Sequence, residues 1–218
     1  MKNLPILLYA IIGAANIIGH ALGIDDMVKF SKPMLMPALI WLVYRHANGN
    51  VPLKTMMLVV ALVFSWLGDM ALMQEGELYF MLGLGGFLLA QITYMYIFLK
   101  ASFEKPEFKL MPLLPILTYT IFLLAYLVPA LPGNLQIPVV VYALCLTGMA
   151  CMARLRFGLT SNQSYQWVMM GSLLFVVSDS AIAIDKFYRP VPYDDVVIMS
   201  TYIGAQLLIV LGILRHPD

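Results

Sequence analysis

The sequence predicts an all-α, polytopic membrane protein: a bundle of about eight transmembrane helices forming a single integral membrane domain over residues 1–218. Three observations carry this reading. Hydrophobic residues make up 61% of the chain and charged ones only 11%, whereas soluble domains carry roughly a quarter charged residues. Mean hydropathy is +0.86. The apolar residues fall into eight runs separated by charges and prolines, and eight spans of about 20 residues would occupy about 160, leaving only short loops.

Taken in order, the spans are expected at 4–22, 33–47, 53–74, 78–99, 110–130, 136–153, 165–185 and 195–214. The first follows Met1-Lys2-Asn3 and has the apolar run of a signal peptide. No small-x-small cleavage site ends it, so it is expected to stay as a helix. The second is the weakest, because Pro33 and Pro37 interrupt it and Arg45 closes it early. A short, proline-interrupted segment beside polar residues is expected to line a cavity rather than lipid. Cys145 and Cys151 lie in the sixth span and make neither a disulfide framework nor a metal motif.

Orientation follows from the distribution of cations. The N-terminus, the even-numbered loops and the C-terminal tail hold nine Lys or Arg: Lys2, Arg45, Lys54, Lys100, Lys105, Lys109, Arg154, Arg156 and Arg215. The opposite side holds four, Lys29, Lys32, Lys186 and Arg189, together with the seven acids Asp25, Asp26, Glu75, Glu77, Asp185, Asp194 and Asp195. Both termini are therefore expected in the cytoplasm, with the chain in a bacterial inner (plasma) membrane. The net charge of +1 says nothing about partners; no nucleic-acid partner is expected, and nothing in the sequence sets the oligomeric state.

A duplicated 4+4 architecture is suggested by paired motifs. Gly68-Asp69-Met70-Ala71-Leu72 in the third span matches Ser178-Asp179-Ser180-Ala181-Ile182 in the seventh, and Ala90-Gln91 matches Ala205-Gln206. Asp69 and Asp179 are the informative positions. Each lies about five or six residues inside the non-cytoplasmic end of its span, roughly 8–9 Å along the helix. An unpaired aspartate facing hydrocarbon costs several kcal/mol, so both must face the bundle interior or a wet cavity. Ser65 and Ser172 share their helical faces, and Gly68, Gly171 and Ser178 provide small surfaces for close packing. A carboxyl group kept from water is a candidate acid catalyst; an interhelical hydrogen bond or a lysine-paired aspartate is the simpler use of either one.

Other polar residues gather at a similar depth. Gly13, Asn16 and His20 share a face of the first helix, Lys32 precedes Pro33, and Ser200, Tyr202 and Gln206 begin the eighth helix. Gln91 and Tyr94 lie nearer the middle of the fourth. Asn16, His20, Lys32, Gln91, Tyr94, Tyr202 and Gln206 form the candidate substrate-contacting set. Lys32 suits a phosphate headgroup or an aspartate counter-charge, and equally a snorkelling interfacial lysine; His20 suits an interfacial hydrogen bond. Asp185 reads as a loop residue.

Several chemistries are set aside. His20, His46 and His216 are far apart, and no HExxH or CxxC occurs, so neither a His-rich metal centre nor a metal-dependent amidase is expected. No GxSxG elbow is present. Gly83-x-Gly85-Gly86 lacks a following Lys-Ser/Thr and reads as a packing surface. No cofactor is expected.

Lys32-Pro33 through Pro37, Ser65-Trp66-Leu67-Gly68-Asp69, Gly86 through Tyr94, Gly171 through Asp179 and Gly204-Ala205-Gln206 resemble the YhhN-like lysoplasmalogenases over nearly the whole chain. The resemblance implies the same eight-helix layout and hydrolysis of the vinyl ether bond of lysoplasmalogens, releasing a fatty aldehyde and a glycerophospho-alcohol. Its acid/base carboxylates map onto Asp69 and Asp179. The implied partner is a lysolipid within the membrane, its headgroup near Lys32 and either Lys186 or Arg189.

The chemistry fits the residues. Vinyl ether hydrolysis begins with protonation of the outer alkene carbon, and the resulting oxocarbenium ion is captured by water. It therefore needs a proton donor, a negative group near the cation and a positioned water, the division of labour that paired carboxylates perform in glycosidases. The alternative function is a proton-coupled transporter of a lipid or small molecule, using the same aspartates as a proton relay.

Overall fold

The computed structural model describes residues 4–47, 52–101 and 109–216; Lys2 and Lys105, counted above for orientation, lie outside them. Among the described residues there are eight α-helices and no strand: α1 Leu4–Leu22, α2 Asp25–Ala47, α3 Leu53–Leu72, α4 Glu77–Leu99, α5 Leu114–Leu127, α6 Gly133–Leu155, α7 Asn162–Phe187 and α8 Asp194–Leu214. Short 3-10 turns, Met111–Leu113 and Val128–Ala130, extend α5 at both ends. Each turn, and the start of α5 itself, has a proline in its first positions, where the missing N–H would have no intrahelical partner.

Seven of these elements are long and apolar enough to cross a membrane; α2 is the exception. Its first two turns carry Asp25, Asp26, Lys29 and Lys32. The bundle is apolar on its outside as well as within: Phe30, Phe122 and Ile137 are each more than 70% exposed. Such a surface needs lipid, because a water-facing monomer seldom exposes a continuous apolar belt. The chain is an integral membrane protein.

The second helix corrects the expected boundary. It begins at Asp25, not Pro33, and runs without a break through Pro33 and Pro37 for 23 residues. Lys32 thus lies two turns inside the helix instead of preceding it. Proline 37 has no N–H to give to the carbonyl four residues back, which leaves the Pro33 oxygen free. The Trp66 indole Nε1 donates to that oxygen at 2.9 Å. A neighbouring helix thereby repairs the ladder and lets α2 continue, as prolines in membrane helices require.

The two aspartate-bearing helices pair closely with the helices that follow them. A Cβ on Gly86 of α4 would lie 2.9 Å from the Gly68 backbone nitrogen of α3, and one on Gly171 of α7 would lie 2.8 Å from the Ala205 carbonyl oxygen of α8. Both pairs meet backbone to backbone through a glycine, which the absence of a side chain alone permits. Within the glycine-rich stretch of α4, Gly83 and Gly86 pack on α3, while Gly85 faces open space.

Candidate active site

Asp69 lies in the last turn of α3 and is 2% exposed. The Tyr202 hydroxyl of α8 donates to its Oδ2 at 2.8 Å. Ser65 stands one turn before Asp69 and Gln206 one turn after Tyr202, so two i, i+4 pairs face each other across the α3–α8 boundary. Gln206 Nε2 donates to Ser65 Oγ at 3.0 Å and to the Tyr202 hydroxyl at 3.4 Å, while its Oε1 accepts from Tyr94 at 2.7 Å. Every one of these side chains is buried. The chain of donors runs from Tyr94 on α4 through α8 to the carboxylate on α3. Satisfied networks of this kind fix one packing arrangement, because in a low-dielectric interior an unpaired member is costly.

Asp179, one turn from the end of the apolar part of α7, is half-buried. Two donors converge on its Oδ2: the Tyr142 hydroxyl of α6, and Gln91 Nε2 of α4 at 3.4 Å. Among the described residues its Oδ1 has no hydrogen-bond partner. Asp179 borders an apolar pocket whose walls include Phe80, Leu84, Phe87, Val139 and Phe187. At the rim, Lys186 Nζ lies 4.7 Å from the Phe80 ring centre. Arg189 is exposed beyond the end of α7.

An aromatic cluster links the two carboxyl groups. Phe87 lines the Asp179 pocket, Tyr202 holds Asp69, and the two rings meet edge to face at 5.7 Å. Phe175 packs edge-on against both, at 6.1 and 5.7 Å. The carboxyl groups lie within electrostatic reach of each other. Lys32 lies within electrostatic reach of Asp69.

A second, more polar pocket opens at the ends of α1, α2 and α8, lined by His20, Asp25, Lys29, Lys32 and Asp195. His20 Nδ1 is 3.2 Å from the Asp195 carboxylate. Leu72, one turn beyond Asp69, borders both pockets.

Of the expected site residues, the structure brings Asp69, Tyr202, Gln206 and Tyr94 into one network and Asp179 and Gln91 into another. His20 and Lys32 line the polar mouth. Asn16 is the outlier: it is fully buried and donates to Ser31 Oγ at 2.9 Å, without reaching either aspartate. Ser172 is also buried, and its hydroxyl has no partner among the described residues. Asp185 lies in the last turns of α7 and accepts from the Val191 backbone N–H at 3.0 Å, tying down the following loop. The reading of the sequence missed Tyr142, Phe87 and Leu72. For Tyr142 a signal existed: it belongs to the buried stripe Leu135, Val139, Tyr142, Leu146 and Met149 of α6, and an inward-facing tyrosine hydroxyl needs a partner. Among the described residues no three His, Cys, Asp or Glu side chains gather as metal ligands.

No solved structure matches the chain. It is similar to lysoplasmalogenase TMEM86B of Homo sapiens, 36% identical over 191 residues that cover 88% of this chain and 76% of the relative. It is 36% identical over 163 residues to lysoplasmalogenase TMEM86A of Bos taurus, covering 73% of this chain and 65% of that protein. A lysoplasmalogenase of Mycobacterium tuberculosis is 29% identical over 202 residues, 91% of this chain and 73% of the relative. The YhhN family model matches residues 27–213, a stretch that includes both aspartates, and the chain belongs to the YhhN family.

Proposed function

We propose that this protein is a lysoplasmalogenase: a membrane hydrolase that converts an alkenyl-glycerophosphocholine or -ethanolamine and water into a fatty aldehyde and the glycerophospho-alcohol. The observation that carries the reading is the junction at Leu72, where a polar, charged mouth meets an apolar pocket bordered by a carboxyl group. A single-chain lysolipid has the same division. Its headgroup suits the mouth beside Lys32, its alkenyl chain suits the pocket between Phe80, Phe87 and Val139, and the vinyl ether between them falls near the aspartates. Family membership and the named relatives support this substrate class.

The arrangement suggests roles for both aspartates. Tyr142 and Gln91 hold Oδ2 of Asp179 and leave Oδ1 open, so Asp179 is the group placed to protonate the outer alkene carbon. Protonation creates an oxocarbenium ion at the ether carbon. The Asp69 carboxylate, held by Tyr202 within electrostatic reach of Lys32, supplies negative charge to that cation. Water adds to the ether carbon, and the hemiacetal collapses to aldehyde and alcohol, returning a proton to the carboxyl pair. General acid/base assistance of this kind is worth about 10²–10⁴ in rate.

The end of the bundle bearing the chain termini is proposed to face the cytoplasm of a bacterial cell, with the protein in the inner membrane and the polar mouth on the opposite face. The cation distribution supports it: Arg45, Lys100, Arg154, Arg156 and Arg215 lie in the last turns of α2, α4, α6 and α8 or just beyond them, on one side.

The test is aldehyde release from a defined lysoplasmalogen by the purified, detergent-solubilised protein. Turnover is expected for the native chain and its loss for Asp69→Asn and Asp179→Asn. Absence of turnover by a folded native protein across choline and ethanolamine headgroups would overturn the substrate class. Full turnover by both variants would overturn the roles of the carboxylates.

A further inference from the structure

We propose that Arg156 anchors a binding site for the phosphate of an anionic membrane phospholipid, at the end of the bundle opposite the two aspartates. Arg156 caps α6 and is 2% exposed. Its guanidinium has five donors, yet among the described residues it makes one side-chain hydrogen bond, from Nη2 to Ser164 Oγ at 2.7 Å. That hydroxyl is itself committed, donating to the Gly212 carbonyl at 2.6 Å. The Nε is buried without a partner. The guanidinium carbon also lies 5.4 Å from the Phe98 ring centre. Burial pushes its pKa down to about 10, still leaving it charged at neutral pH.

A buried cation is strongly destabilising unless an anion and hydrogen bonds replace its lost water. None of the described residues at this end of the bundle is an aspartate or a glutamate. Two arginines there lie over aromatic rings: Arg154 is 5.0 Å from the Phe157 ring centre and Arg215 is 3.6 Å from that of Trp167. The N-terminus of α7, which begins six residues after Arg156, adds the positive end of a helix dipole. Among the described residues no carboxylate offsets these charges.

A narrow cleft adjoins the side chain, lined by Arg156 with Phe98, Leu99, Met152, Leu155 and Thr160. Its walls are mostly apolar, which disfavours a free hydrated anion and favours a phosphate whose attached chains lie along the outside of α4 and α6. The Arg156 fork matches phosphate oxygens in a way that an ammonium does not.

The experiment uses the full chain in phosphatidylcholine nanodiscs, with phosphatidylglycerol added stepwise, and reads the unfolding temperature. For the native protein a rise of about 5 °C at saturating phosphatidylglycerol is expected, from ligand linkage to the folded state. Inorganic phosphate at the same concentration should leave the temperature unchanged; an equal rise would show a free-anion site and overturn the lipid. Arg156→Gln should abolish the response and Arg156→Lys should retain only part of it. Should Arg156→Gln fail to fold, Ala101→Leu, which narrows the pocket and keeps the guanidinium, should lose the response. A native-sized rise in either variant, or no rise in the native protein, would overturn the proposal. So would an intrachain counter-charge, revealed if Glu104→Gln or Glu107→Gln lowered the lipid-free unfolding temperature as much as Arg156→Gln.

Discussion

The Tyr202 hydroxyl donates to the Asp69 carboxylate across 2.8 Å, joining α8 to α3 inside the membrane. The same hydroxyl accepts from Gln206 one turn along, so Tyr202 stands between a polar network and the buried acid. Tyr202→Phe keeps the ring packed against Phe87 and Phe175 and removes only the hydroxyl. Aldehyde release should fall about tenfold with little change in KM, the pattern expected when a group acts mainly in the transition state. Asp69→Asn should cost about a hundredfold or more in kcat.

Asp179 should be more sensitive than its donors. Asp179→Asn is expected to reduce kcat by about 10²–10⁴, the range for loss of a general acid. Tyr142→Phe leaves Gln91 on the same oxygen and should cost about tenfold. Steady-state turnover of one lysoplasmalogen by both variants checks the order. Equal losses would indicate that Tyr142 itself reaches the substrate.

Lys32 borders the polar mouth, within electrostatic reach of Asp69. Lys32→Met retains the apolar stem and removes the charge. A severalfold rise in KM for lysoplasmalogen is expected, with kcat reduced less, because a headgroup contact contributes to ground-state and transition-state binding alike. A large fall in kcat at unchanged KM would instead make Lys32 part of the catalytic charge balance.

Gly171 tests the glycine contact between α7 and α8. Alanine there would set its methyl 2.8 Å from the Ala205 carbonyl oxygen, and backbone cannot swing aside as a side chain can. Gly171→Ala should destabilise the folded protein by about 1–3 kcal/mol, the usual range for overpacking. Gly85→Ala meets open space and serves as the control. Unfolding in a graded denaturing detergent compares the two.

Trp66 donates to the carbonyl freed by Pro37. Trp66→Phe should destabilise by about 1–3 kcal/mol through the unsatisfied Pro33 oxygen, on top of lost packing. The double variant Trp66→Phe with Pro37→Ala restores the helical N–H and should recover part of that loss, which the same denaturation assay measures.

The amino-acid sequence by itself determined the membrane environment, the number of helices and the existence of two carboxylates within the bundle. These properties are local or additive: apolar run length sets a span, and the penalty for a lone carboxylate in hydrocarbon sends Asp69 and Asp179 inward. The i, i+4 spacings of Ser65 with Asp69 and of Tyr202 with Gln206 were likewise readable, because one helix fixes them. Tertiary structure decided which faces meet. Nothing along the chain says that Tyr142, 37 residues before Asp179, donates to it; nor that Trp66 repairs α2, whose start the prolines disguised. Helix packing also separated two aspartates that look equivalent in sequence, one sealed by Tyr202 and one beside an apolar pocket. Their difference arises from neighbours on other helices, and the relative rotation of packed helices is set by the glycine contacts and polar pairs of the whole bundle.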